Sequence, residues 1–359
     1  MKQIANCVLP QSIPTSSRKS KQRADATMRR ESHRTENSSG TPRIGISGWN
    51  YPPWRGGTFY PKGWPQKREL EYASRQVSSI EINGTFYSLQ RPESFRAWYE
   101  ATPENFVFAV KGGRFITHRK RLKDVRTPLA NFFASGLLRL EEKLGPILWQ
   151  LPPNFRYDRD RLVAFFSLLP RDSRHAASLA RKHDERLRGR SWTRTAENRP
   201  LRHALEVRHP SFENPDFIAL LRAHDIAIVV ADTAGKWPLI EDTTSTFVYV
   251  RLHGDEELYV SGYTPQALER WARKIAAWSS GRTPATTRLL ARRPSPAASR
   301  DVFVYFDNDV KVHAPFDAMT LANRLKLSLP PPAAPDFTKI TEVARKRWPP
   351  ITPRWWLQT

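Results

Sequence analysis

The sequence predicts an α/β fold, specifically a closed (β/α)8 TIM-type barrel, and three observations lead there. Eight short runs rich in β-branched and aromatic residues alternate with helix-length amphipathic segments across residues 43–329. Proline opens four of the helical segments, at the first turn, where its missing N–H breaks no hydrogen bond. No Gly-x-Gly-x-x-Gly or Walker-type loop follows the first run, so an open sheet that cradles a dinucleotide or nucleotide phosphate loses its main support.

In chain order, the predicted strands are Arg43 to Trp49, Ser78 to Tyr87, Phe106 to Lys111, Gly145 to Leu151, Arg202 to Arg208, Ile226 to Asp232, Phe247 to His253 and Val302 to Asp307. Each is short and β-branched or aromatic, as a strand buried on both faces must be. Helices are predicted from Pro92 to Ala101, Val125 to Lys143, Asp160 to Leu169, Pro215 to His224, Pro265 to Ser279 and Pro315 to Leu327. Arg91-Pro92, Asn214-Pro215, Thr264-Pro265 and Ala314-Pro315 mark four of the starts.

The margins read differently. Residues 1–42 carry eight basic and three acidic residues with almost no apolar periodicity, which predicts a disordered basic arm. Residues 281–300 hold five Arg, no acid and several Pro and Ala, and predict an exposed insertion. Residues 330–359 open on Pro-Pro-Pro and contain Trp348, Trp355 and Trp356, which predicts an irregular tail.

Composition excludes several classes. The 359 residues include one cysteine, Cys7, so no internal disulfide framework can form, and no Cys/His spacing fits a zinc module. No apolar run reaches the length of a membrane span and no signal-peptide core forms before Pro10, so the expected compartment is the cytoplasm. The net charge of +23 favours polyanions such as nucleic acid. Much of that charge lies in the arm, the insertion, the tail and the Arg-rich stretch between the fourth and fifth strands, so it argues for general attraction at the periphery.

In such a barrel the active site lies where the strands end, at the C-terminal face. Side chains alternate along a strand, so parity sorts the late charged residues. Glu81, Asn83 and Thr85 share a face in the second strand, Glu206 and Arg208 in the fifth, Tyr249, Arg251 and His253 in the seventh, and Tyr305 and Asp307 in the eighth. Lys111, Gln150 and Asp232 end the third, fourth and sixth. The expected acid/base candidates are Glu81, Glu206, Asp232 and Asp307. The expected ligand-binding residues are Asn83, Lys111, Gln150, Arg208, Arg251, His253, Tyr305 and Trp49 of the aromatic, glycine-rich loop after the first strand. The competing reading is a self-neutralising ion network inside the barrel, with the loop aromatics as packing.

The expected ligand is an anionic or polyhydroxylated small molecule, held by Lys111, Arg208 and Arg251. Three function classes remain: a hydrolase or isomerase acting on a phosphorylated or sugar-containing substrate; a nucleic-acid binder or metal-dependent phosphodiesterase; and a non-catalytic binding protein. The carboxylates with His253 and His209 are the candidate ligands for a divalent metal, although no HExxH or other fixed spacing supports one. No Gly-x-Ser-x-Gly elbow is present to support serine-hydrolase chemistry.

Seven ordered motifs carry a family resemblance. They are Ile44-Gly45-Ile46-Ser47-Gly48-Trp49, Ile80-Glu81-Ile82-Asn83-Gly84-Thr85-Phe86-Tyr87, Phe108-Ala109-Val110-Lys111, Leu148-Trp149-Gln150-Leu151-Pro152-Pro153, Glu206-Val207-Arg208-His209-Pro210-Ser211, Val250-Arg251-Leu252-His253-Gly254 and Tyr305-Phe306-Asp307-Asn308-Asp309. Together, from about Arg43 to Leu327, they resemble the YecE-like family, domain of unknown function 72. That resemblance implies a TIM-type barrel and no defined activity, so it transfers no catalytic role to any residue here.

Overall fold

A computed structural model describes residues 40–327; the predicted tail and all but the last three residues of the predicted arm lie outside them. Eight parallel strands close a barrel in sequence order: β1 Pro42–Ser47, β2 Ser79–Ile82, β3 Val107–Lys111, β4 Leu144–Gln150, β5 His203–Glu206, β6 Ile226–Asp232, β7 Phe247–Leu252 and β8 Asp301–Phe306. Closure comes from β8 pairing with β1, with Ile46 opposite Phe306. The chain is therefore a (β/α)8 barrel, as its alternating pattern predicts.

Nine α-helical segments are found among the described residues: α1 Glu69–Gln76, α2 Gly84–Tyr87, α3 Pro92–Ala101, α4 Arg126–Ala134, α5 Arg159–Leu168, α6 Ser173–Ala180, α7 Pro215–Ala223, α8 Pro265–Ser279 and α9 His313–Arg324. Proline occupies the first turn of α3, α7 and α8. The Asn214 and Thr264 side chains accept from backbone N–H groups at the starts of α7 and α8, satisfying donors a helix start leaves open.

Two layers of apolar packing follow from strand parity. Ile226, Ile228 and Val230 of β6, with their counterparts on the other strands, face the helices and join one large core. Inside the barrel a second core holds Ala109, Leu148, Ala204, Ala227, Val229, Ala231, Phe247, Tyr249, Phe303 and Tyr305. Its filling is lopsided. Small alanines on β3, β5 and β6 leave room that aromatic rings from β7 and β8 cross the barrel to occupy. The Tyr249 and Tyr305 rings meet at a tilt of 40° with centres 5.1 Å apart, and the Tyr305 hydroxyl lies 2.8 Å from Ser79 Oγ on β2.

Several elements differ from expectation. The second strand stops at Ile82 and the chain turns into α2 at Gly84, so Asn83 and Thr85 do not continue the inward face of Glu81. The segment from Val125 to Lys143 breaks after α4, because Gly136 takes φ +115° and passes over Pro92 where a Cβ would lie 2.5 Å from Pro92 Cα. The Arg-rich connection between β4 and β5 holds α6, an unforeseen helix capped by the Asp172 carboxylate. Residues 281–300 contain no helix or strand and are mostly exposed; Asp242 accepts from the Leu290 and Ala291 N–H groups and tethers the segment.

Candidate active site at the barrel mouth

Arg251, fully buried near the end of β7, is the hub of the inward-facing charges. Its Nη2 donates to Glu81 Oε1 at 2.9 Å and to Asp307 Oδ2 at 2.7 Å, and its Nη1 donates to Glu206 Oε2 at 2.8 Å. One guanidinium thus ties together β2, β5 and β8. Three convergent carboxylates match the planar fork of arginine, which a lysine could not imitate.

Each carboxylate has further donors. Glu81 also accepts from Ser47 Oγ at 3.2 Å and from the Tyr249 hydroxyl at 2.5 Å. Glu206 accepts from Gln150 Nε2 and from Arg208 Nε, both at 2.8 Å. Burial pushes the Glu206 carboxyl up, but Arg208 and Arg251 outweigh it and hold the group well below the usual range. Glu81 and Glu206 are therefore engaged on several sides, and their geometry suits them to holding Arg251 rather than to exchanging protons. The Asp307 carboxylate lies 3.1 Å from His253 Nδ1, at an angle that leaves this nitrogen without an aligned hydrogen bond. Burial and the Arg251 charge lower His253 from its ordinary value, while Asp307 and Glu206 act in the opposite direction.

Two carboxyls at the mouth titrate apart. Burial raises Asp307, yet Arg251 and His253 more than reverse it, to about 2. Asp309, two residues on, is pushed well above the carboxylate range by burial and by the Asp307 charge beside it. Tyr51 of the loop after β1 lies beside it, with its hydroxyl donating to the Ser47 carbonyl, and the Asp309 Oδ1 is buried without a partner. The two neighbouring carboxyls are thus shifted in opposite directions, the arrangement that divides base from acid.

Lys111 closes β3 with 8% of its surface exposed. Its ammonium sits 4.5 Å from the centre of the Phe86 ring and makes no hydrogen bond or salt bridge among the described residues. Burial and Arg251 lower it to about 8, while Glu81, Asp307 and Glu206 act in the opposite direction. Beside it, His118 is lowered to about 3 by burial and the Lys111 charge. Arg208, whose guanidinium lies 3.9 Å from the centre of the Trp237 ring, reaches the Tyr259 hydroxyl at 3.4 Å.

Of the residues expected at the mouth, Glu81, Lys111, Gln150, Glu206, Arg208, Arg251, His253 and Asp307 come together. Four do not. Asp232 shares the outward parity of Ile226, Ile228 and Val230 and meets Tyr263 and Trp271 of the helix layer, with the Tyr263 hydroxyl donating to Oδ2 at 3.2 Å. Trp49 stands edge-on to Trp98 of α3 at 5.5 Å and belongs to the packing of the first loop. Tyr305 lies under the cluster, on Ser79 and Tyr249. Asn83 has left the strand and contacts Tyr51, on the Asp309 side. The aromatic loop is likewise internally satisfied, since Arg55 pairs with Glu69 at 2.5 Å. Sequence parity missed Asp309 and His118, which lie beyond strand ends where alternation no longer applies.

Among the described residues no three His, Cys, Asp and Glu side chains are grouped to hold a metal ion, and the carboxylates converge on a guanidinium instead. Nor is any helix of these residues long and apolar enough to cross a membrane.

Fold and site together define a (β/α)8-barrel protein with a buried arginine–carboxylate hub at its C-terminal mouth. The chain belongs to the DUF72 family: the model of the protein of unknown function DUF72 matches residues 43–338. The UPF0759 protein YecE of Escherichia coli K12 is 26% identical over 250 residues, covering 67% of this chain and 83% of that relative. The UPF0759 protein YunF of Bacillus subtilis is 27% identical over 125 residues, or 33% of this chain and 43% of its own length. A crystal structure of a DUF72 family protein from Thermotoga maritima superposes with a TM-score of 0.58 at 23% identity, covering 80% of this chain and 99% of that one, which establishes the shared fold.

Proposed function

We propose that the barrel mouth binds a small anionic or polyhydroxylated molecule, of the phosphorylated or sugar class, and acts on it by carboxylate acid–base chemistry. The observation that carries this reading is Lys111: a lysine buried within electrostatic reach of three carboxylates that pairs with none of them. A largely buried side chain that holds its ammonium without a carboxylate partner leaves that charge poorly compensated, and a bound anion would stabilise it.

Arg208 supplies a second cation at the rim, oriented by Glu206, Tyr259 and Trp237. Asp309, the carboxyl shifted upward, is the general acid, and Asp307, the one shifted downward, is the base or the electrostatic stabiliser of developing positive charge. Arg251 is a positioning residue. It fixes Asp307 and, through Glu206, Arg208, while its own Nη donors are already taken.

The test is calorimetric titration of the protein with inorganic phosphate and glucose 6-phosphate. Micromolar to millimolar binding that weakens tenfold or more in Lys111→Met and in Arg208→Gln is expected. Wild-type protein that binds neither probe, or variants that bind both unchanged, would overturn the reading.

A further inference from the structure

An open cavity lies beside the ion cluster rather than over it. It encloses about 240 Å3 between α2, the π-helical turn Phe115–Arg119 and α4, and its walls include Phe86, Tyr87, Arg114, Phe115, Ile116 and Asn131. Phe86 is the wall shared with the mouth: its ring carries the Lys111 ammonium 4.5 Å from its centre, meets His118 edge-on at 5.1 Å and Tyr87 at 5.2 Å.

Two large apolar side chains on the rim are open to solvent, Tyr87 at 58% and Phe115 at 44%. The Arg186 guanidinium stands 5.8 Å from the centre of the Phe115 ring, and both exposed side chains border the cavity. Arg114, also on its wall, makes no hydrogen bond or salt bridge among the described residues, although its charge acts on both Tyr87 and His118. Lys111 thus stands over the Phe86 ring at the mouth, and Arg114 stands on the cavity wall that Phe86 also lines.

We infer that this cavity is the subsite for a planar aromatic group of the ligand, whose anionic group sits at Lys111, so that the substrate class is an aryl or nucleobase-type phosphate or carboxylate. The size fits. An apolar cavity of about 150 Å3 accepts a benzene ring, so the space here takes a substituted six-membered ring or a bicycle. Ring faces from Phe86, Tyr87 and Phe115 supply offset and edge contacts, and Arg114 neutralises charge shared between the two compartments. The inference rests on the anion-binding reading of the mouth, which Phe86 joins to the cavity.

Calorimetry on the full chain with three probes separates the two readings: inorganic phosphate, 4-nitrophenyl phosphate and 4-nitrophenol. Wild type is expected to bind 4-nitrophenyl phosphate about tenfold tighter than phosphate, a gain worth about 1.4 kcal/mol. Phe115→Ala and Tyr87→Ala, both at exposed rim positions, erase most of that gain and leave phosphate affinity unchanged, with circular dichroism confirming the fold. Lys111→Met weakens both anions and leaves 4-nitrophenol alone. Equal affinity for the two anions in wild type, or a gain that survives both rim variants, overturns the aromatic subsite while the mouth reading stands. Binding of 4-nitrophenol that depends on Phe115, with no binding of phosphate, supports the subsite and removes the anion-binding mouth.

Discussion

Arg251 Nη1 lies 2.8 Å from Glu206 Oε2, and neither side chain exposes any surface. The same guanidinium holds Glu81 and Asp307, so removing it strands three carboxylates around one cavity. Breaking a buried pair from one side costs about 3–5 kcal/mol, because the partner charge remains behind. Arg251→Met should therefore lower the unfolding free energy by about that much in urea titration. Arg251→Lys should recover little of it, since an ammonium cannot span the three acceptors with one planar fork. A variant within about 1 kcal/mol of wild type would show that the hub is dispensable.

Lys111 predicts a pH dependence of opposite sign for binding and for stability. Its ammonium titrates near 8 in the folded chain, below the ordinary lysine value of 10.5. Anion affinity should therefore fall as pH rises through about 8, with one proton lost. Because the unfolded chain keeps that proton up to about 10.5, the group's contribution to folding stability rises from pH 8 to 10.5. Lys111→Met should flatten the affinity profile. It should also leave thermal stability at neutral pH equal or higher, since a desolvated charge is gone. A phosphate affinity that does not fall between pH 8 and 10 would contradict the binding sign, and an unfolding free energy in which wild type gains nothing over Lys111→Met across that range would contradict the stability sign.

Asp307 and Asp309 should respond differently to the same change. Asp307→Asn removes a charge that Arg251 requires and should cost about 2–3 kcal/mol, the range for a hydrogen bond to a charged group. In wild type that stability is present above the ordinary aspartate range and is lost as pH falls toward about 2. Burial and the Asp307 charge favour the neutral form of Asp309, so the neutral amide of Asp309→Asn should shift stability by no more than about 0.5 kcal/mol. If Asp309 is the general acid, the same variant abolishes turnover of any substrate found. Unfolding curves for the two variants that coincide would remove the distinction.

How much of this was legible depends on which physics set each feature. Barrel architecture was, because proline-started helices and two-face-buried strands are local patterns. Parity placed Glu206, Arg251 and Asp307 correctly, since inward alternation carries one or two residues past the strand ends. Asp232 was placed by its terminal position alone; its own parity with Ile228 and Val230 already puts it outside. Asn83 was lost because Gly84 starts a helix where the β-rich composition suggests more strand. The hub role of Arg251 and the unpaired state of Lys111 depend on cross-barrel geometry that joins residues up to 170 positions apart. No local pattern encodes that. Asp309 is buried by Tyr51 from the opposite end of the chain, which leaves no mark in its own neighbourhood.

Two adjacent glycines at the end of β3 should tolerate substitution very differently. A Cβ on Gly112 would lie 2.3 Å from the Trp149 ring, while one on Gly113 meets nothing closer than the Thr85 carbonyl at 3.8 Å. Trp149 cannot yield easily. It is fully buried, packs on Phe132 and Phe165 at 5.5 and 5.3 Å, and its indole N–H points to His203 Nδ1 at 3.2 Å. Gly112→Ala should therefore cost about 1–3 kcal/mol, the range for overpacking a dense core. Because Gly112 directly follows Lys111, the relief of that clash displaces the ammonium and should weaken phosphate binding as well. Gly113→Ala should change stability by about 0.5 kcal/mol or less and leave phosphate affinity intact. Thermal unfolding and phosphate titration of the two variants side by side check the argument, and equal losses in both would mean that Trp149 does not set the position of Lys111.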